Sequence, residues 1–216
     1  MINIDHQLDA VQRQVGDLTI EAGQASTVTV SQTFEAELED AWDACTNPER
    51  IPRWFLPVTG DLREGGTYQL EGNAGGTVQR CEPPHSFGAT WEFGGQISWI
   101  EVRLTSVAPD RTRVELQHIA LVDDLAEHWV TFGPGAGGVG WDGAFLGLAT
   151  HLGSGAAVDP GEAAAWMASE EGLRFYRSAS FRWGEAHVAA GADQAAAAAA
   201  AERTAAFYTG ADAPAE

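Results

Sequence analysis

Ile97-Ser98-Trp99-Ile100-Glu101-Val102-Arg103-Leu104 and, one turn later, Thr112-Arg113-Val114-Glu115-Leu116-Gln117-His118 decide the fold of this chain. Side chains of a strand point alternately to its two faces. Ile100, Val102 and Leu104 therefore share one face, as do Val114, Leu116 and His118, while Glu101, Arg103, Arg113, Glu115 and Gln117 take the wet side. Upstream, Phe87, Ala89, Trp91 and Phe93 alternate in the same way, with Glu92 outward. Trp99 keeps register with Glu101 and Arg103, which places it at a sheet edge or beneath another element. Glycine and proline bracket these runs and two earlier ones, 67–70 and 77–81, so the whole stretch reads as a meander of antiparallel strands.

Toward the N-terminus, Thr27 to Thr33 is β-branched and alternating, with Val28, Val30 and Phe34 on one side; it reads as an edge or half-buried strand. Glu37 to Cys45 is helical, and Asn47-Pro48 breaks it ahead of a second short helix around Ile51. Ile4, Leu8, Val11 and Val15 recur at helical spacing, which predicts a leading helix ending at Gly16. Beyond Leu121 the spacing predicts an acidic irregular stretch, a glycine-rich turn and a helix whose Trp141, Phe145, Leu148 and Leu152 form one face. The alanine-rich remainder is expected to be a set of helices, because alanine is the best helix former. Trp166, Phe175, Tyr176, Phe181, Trp183, Phe207 and Tyr208 give those helices something to bury.

The 216 residues, 44% hydrophobic and 20% charged, fit one globular domain with an appended segment. Basic residues number 12 against 31 acids, a net charge of −19. That excess repels phosphate backbones and anionic lipids, so neither nucleic acid nor a membrane is an expected partner. Cys45 and Cys81 form no CxxC pair, which points to a reducing compartment. Met1-Ile2-Asn3-Ile4-Asp5-His6 lacks the features of a signal peptide, and no apolar run is long enough to span a bilayer. The expected location is the cytoplasm.

One strand, two short helices, a strand meander and a closing helix form a recognisable order. Its most telling residues are Thr27-Val28-Thr29-Val30-Ser31-Gln32-Thr33-Phe34, then Ala41-Trp42-Asp43-Ala44-Cys45-Thr46-Asn47-Pro48-Glu49-Arg50-Ile51-Pro52-Arg53-Trp54-Phe55, then Gly65-Gly66-Thr67-Tyr68 and Ala89-Thr90-Trp91-Glu92-Phe93. On these the chain resembles the START-like or SRPBCC superfamily, in the branch named for the activator of heat-shock protein 90 ATPase, in its bacterial stand-alone form. The resemblance implies an α+β helix-grip fold, in which a curved antiparallel sheet grips a C-terminal helix around a ligand cavity. It divides the chain into an N-terminal helical extension (1–24), the helix-grip domain (25–153) and an alanine-rich helical extension (154–216) of a kind seen in actinobacterial members. The superfamily holds lipid carriers, cyclases, hormone receptors and chaperone cofactors, so the fold does not fix the activity. In the eukaryotic members chaperone activation also involves a separate N-terminal domain, and Met1 to Gln24 is too short to be one.

Trp54, Phe55, Trp91, Phe93, Phe132, Trp141 and Phe145 come from every element that would surround such a cavity, and with His118 they make up its expected lining. The plainer reading is that these aromatics fill the core. For His118, orienting a ligand carbonyl or hydroxyl stands beside the role of a core histidine satisfied by the backbone. His118, Asp123, Asp124, Glu127 and His128 include the residue types of metal or acid–base sites. Their spacing matches no ligand pattern, and the acids read as a solvated loop.

Gly135-Ala136-Gly137-Gly138-Val139-Gly140 spells GxGxxG, with Asp159 downstream. No buried parallel strand precedes it, so it reads as a hinge or entrance loop. A helix starting near Val139 could attract an anionic group there. The cysteines read as buried, inert thiols. No cofactor or metal is expected.

The leading expectation is a binding protein for a hydrophobic or aromatic small molecule. One alternative is a polyketide-cyclase-like or hydrolase-like enzyme using His118 with Asp123 or Asp124. The other is a protein-interaction or chaperone-cofactor-like module, with the helical tail as a candidate homodimer surface.

Overall fold

The computed structural model describes residues 3–211. Met1, Ile2 and residues 212–216, which belong to the two expected extensions, lie outside them. Helix α1 (Ile4–Ala10) is capped by Asn3, whose side chain accepts from the backbone N–H groups of Asp5 and His6. The predicted helix to Val15 is corrected here: residues beyond Val11 form strand β1 (Gln12–Ile20), antiparallel to β2 (Gly23–Phe34). Val11 and Val15 suit a strand alternation as well as a helical one, and the open edge of β2 decides between them. For the same reason β2 is an interior strand, flanked by β1 and β8 (Arg111–Leu121).

Helix α2 (Leu38–Thr46) and a 3-10 turn at Ile51–Arg53 follow as expected. The meander supplies β3 (Val58–Gly60), β4 (Thr67–Leu70), β5 (Gly75–Glu82), β6 (Ser86–Phe93), β7 (Gln96–Ala108) and β8. All eight strands join one antiparallel sheet in the order β1-β2-β8-β7-β6-β5-β4-β3. Val30, Ala89, Ile100, Val102, Leu104, Val114 and Leu116 are buried in the hydrophobic core. Trp99 is half-buried on the other face, opposite Ile119 and near the β1–β2 turn.

The stretch expected to be irregular is helix α3 (Val122–Phe132). Asp123 and Asp124 sit in its first turn, where acids interact favourably with the helix dipole. Gly133, at φ 60°, ends α3, and α4 (Gly135–Ser154) begins two residues later. The GxGxxG run is therefore the start of a helix, which corrects its reading as a hinge or loop. Its glycines answer to packing: a Cβ at Gly138 would lie 2.2 Å from the Trp183 indole, and one at Gly135 would lie 3.0 Å from Thr204. Farther along α4, a Cβ at Gly147 would meet the Trp54 carbonyl at 2.2 Å. Asp159 caps α5 (Pro160–Met167) by accepting from the Glu162 N–H.

The tail is helical as expected: α5, α6 (Glu170–Ala189) and α7 (Gln194–Thr209). Helix α6 packs on α1, β1 and α4, burying Phe175, Ala179 and Trp183. At this seam Asp142 of α4 is fully buried. It accepts from Arg13 Nε at 3.1 Å and Nη2 at 2.6 Å, and from Trp183 Nε1 at 2.8 Å. Burial pushes the Asp142 carboxyl up, while the Arg13 guanidinium and the Trp183 N–H pull it back. Among the described residues no helix is long and apolar enough to cross a membrane.

Candidate functional site

The expected single cavity is two chambers. The inner one, about 130 Å3, lies between the sheet, the 3-10 turn and α4. Trp54, Phe55, Trp91, Trp141 and Phe145 line it, together with the aliphatic faces of Val102, Leu116 and Leu148. Its rings form a chain: Trp54 on Phe55 at 5.5 Å between centroids, Phe55 on Trp141 at 6.2 Å, and Trp141 on Trp91 at 5.0 Å. Trp54 is anchored by its indole N–H, which donates to the Ala44 carbonyl at 2.9 Å.

The hydroxyls and thiols here are bonded or protonated, with Thr46 donating to the Trp42 carbonyl at 2.8 Å. The Tyr68 hydroxyl donates to the Thr90 carbonyl at 2.7 Å, and burial raises its pKa. Burial pushes the Cys45 thiol up to about 12, so it stays protonated and unreactive. The Cys81 thiol is raised as well, by burial and then by Glu64.

The outer chamber, about 410 Å3, is bounded by β2, β8, β7, β6, α3, the start of α4 and α7. Phe93, His118 and Phe132 line this chamber and not the inner one, while Trp91 lines both. Phe93 is 59% exposed, Ile97 49% and Phe207 65%, so they form an apolar rim. Trp129, Phe207 and Tyr208 also line it, and the sequence reading did not place them there. The Phe207-Tyr208 doublet at the end of an alanine-rich helix was the available signal, but nothing in the sequence says where α7 docks. Hydrogen bonds from α7 fix that docking: the Thr204 hydroxyl donates to the Phe132 carbonyl, the Tyr208 hydroxyl to the Ala136 carbonyl, and the Arg203 guanidinium to the carbonyls of Thr131 and Val130.

His118 sits where the chambers meet, its ring 5.9 Å from that of Trp91 and 5.8 Å from that of Trp141. The Trp141 indole can only donate, so its 3.2 Å bond makes His118 Nδ1 an acceptor. The ring proton is then on Nε2, which donates to Ser98 Oγ at 2.8 Å, and that hydroxyl donates to the Trp91 carbonyl at 3.0 Å. Both ring nitrogens are thus occupied by side chains, and burial holds the imidazole down at about 4. The arrangement can rigidify the partition between chambers, but it has no free lone pair with which to take a substrate proton.

Of the acids near it in sequence, Asp124 lines the outer chamber, and its carbonyl accepts from the Gln96 side chain at 2.8 Å. Asp123 and Glu127 are exposed. Among the described residues no group of three or more His, Cys, Asp or Glu side chains could hold a metal ion. The buried His151 is also structural, with Nε2 facing Arg50 and Nδ1 facing the Ala156 carbonyl at 2.9 Å.

A helix gripped by a curved antiparallel sheet, with a cavity between them, defines a helix-grip protein of the SRPBCC class. Residues 35–153 match the model of the family described as activator of Hsp90 ATPase homolog 1-like protein, and the chain belongs to that family. No curated protein matches it. The crystal structure of CalU16 from Micromonospora echinospora is 32% identical at a TM-score of 0.66, covering 82% of this chain and 98% of CalU16. The solution structure of CalU16 is 33% identical at a TM-score of 0.69, covering 84% and 97%. That coverage exceeds the length of residues 1–153, so the likeness reaches into the helical tail. DynU16, a protein of the dynemicin biosynthetic locus, is 18% identical at a TM-score of 0.50, covering 61% of this chain and 48% of its own, and shares the fold.

Proposed function

We propose that the protein binds a hydrophobic, aromatic small molecule in the inner chamber. The observation that carries this reading is a cavity of about 130 Å3 with aromatic and aliphatic walls, whose polar side chains are already bonded or protonated. A buried cavity of about 150 Å3 with such walls stays dry and takes benzene. Leaving this volume unfilled forgoes packing along its walls. A ring system of matching size restores it. With no free base at His118 and no activated thiol, the chamber selects by shape and contact. Binding without turnover is therefore the reading the geometry supports over a cyclase-like or hydrolase-like one.

Native purification followed by denaturing mass spectrometry, alongside thermal denaturation with naphthalene and indole, tests this. A ligand bound to the folded state raises the melting temperature in proportion to the logarithm of its concentration above Kd. An empty protein whose melting temperature is unmoved by either compound up to its solubility would overturn the reading.

A further inference from the structure

We infer that the outer chamber is a second site, selective for the protonated amine of an amphipathic aromatic ligand. This rests on the reading of the protein as a small-molecule binder and extends it to a chamber with different chemistry. Aromatic rings converge on this space from four elements: Trp91 and Phe93 from β6, Trp129 and Phe132 from α3, Phe207 and Tyr208 from α7, and His118 from β8. Ring faces carry negative electrostatic potential and attract ammonium groups, most strongly where water is excluded.

Charge points the same way. The chain contains 12 arginines and no lysine at a net charge of −19, and among the described residues no arginine lines the chamber, whereas Asp124 does. The arginine next to it on α7, Arg203, keeps its charge but is turned to α3, where it donates to the carbonyls of Thr131 and Val130. Arg13, Arg50 and Arg182 are paired with Asp142, with Asp40 and Asp43, and with Asp9. His118 carries no charge near neutrality, since both of its nitrogens are bonded as a neutral ring requires. The hydroxyls of Thr204 and Tyr208 donate to backbone carbonyls, so neither proton is free to greet an anion.

Two features oppose this: the start of α4 at Ala136 and Gly137, whose N–H groups favour an anion, and the imidazole of His128, which also lines the chamber. The Ala136 N–H already donates to the Gly133 carbonyl. Against these stand six aromatic side chains and Asp124, and they set the sign.

The test is isothermal titration at low salt with three matched probes: 1-naphthylmethylamine, 1-naphthylmethanol and 1-naphthaleneacetate. The expected result is an amine Kd about tenfold below that of the alcohol, equivalent to about 1.4 kcal/mol, with the acetate weakest. Phe207→Ala and Asp124→Asn, both at exposed positions, should each reduce that preference about threefold or more while lowering the melting temperature by no more than about 4 °C. Equal affinities for amine and alcohol, or a preference for the acetate, would overturn the cation-selective site. If none of the three probes binds but naphthalene stabilises the protein, the outer site is overturned and the inner-chamber reading stands. If naphthalene also fails, both are overturned.

Discussion

Replacing Asp142 with alanine removes the acceptor at the centre of the seam between β1, α4 and α6. Its side chain is 0% exposed and that of Arg13 is 5% exposed, so the substitution leaves a guanidinium charge buried without its counterion. Breaking a buried pair from one side costs about 3–5 kcal/mol. The Trp183 N–H loses its acceptor as well, within that range. For a chain of this length each kcal/mol lowers the melting temperature by about 2–4 °C, so the predicted drop is about 6–20 °C.

Urea denaturation followed by circular dichroism measures the loss directly. The double variant Arg13→Met with Asp142→Leu should recover most of it, because removing both charges leaves neither uncompensated. A loss below about 1 kcal/mol for Asp142→Ala, or a double variant no better than the single one, would show that the pair relaxes into solvent and does not hold the seam.

His118 makes stability depend on pH. Its folded-state value is about 4 against an ordinary 6.5, so between those values the unfolded chain binds a proton that the folded chain does not. The contribution is full above about pH 6.5 and is lost as the pH falls toward 4, up to about 3 kcal/mol at 1.36 kcal/mol per pH unit. Denaturation midpoints measured across that range should fall accordingly, and His118→Gln should flatten the dependence; an unchanged slope in the variant would refute this. Gly138→Ala forces a methyl group into the Trp183 indole and should cost about 1–3 kcal/mol, whereas Gly137→Ala, where a Cβ meets nothing within 4 Å, should be neutral or stabilising by calorimetry.

Strand alternation made the meander legible, because burial on one face repeats every second residue through Ile100 to Leu104 and Thr112 to Leu116. The leading segment was not legible as a strand: four apolar residues spaced 4, 8, 11 and 15 satisfy a helix, and only pairing with β2 selects β1. The glycines of α4 misled for a related reason. A residue without a side chain marks a close approach, and the sequence does not say whether a phosphate, a solvent-exposed hinge or an indole makes it. For the site, the inward aromatics were readable, but their division into two chambers depends on Trp91, Trp141 and His118 meeting edge to face. Asp142 carried no local signal, since its partners stand 129 and 41 residues away.

Helix α4 presents Trp141, Phe145 and Leu148 to the inner chamber and its walls, and Gly138 and Asp142 to the tail. Being enclosed on both sides, it cannot lose one partner without exposing either an apolar face or the buried Arg13–Asp142 pair. Its central amides should therefore exchange with solvent deuterium only through global opening, with the same free energy as the slowest amides of β7 and α6. The molecule would then open as one cooperative unit, with its C-terminal third no easier to detach than the sheet.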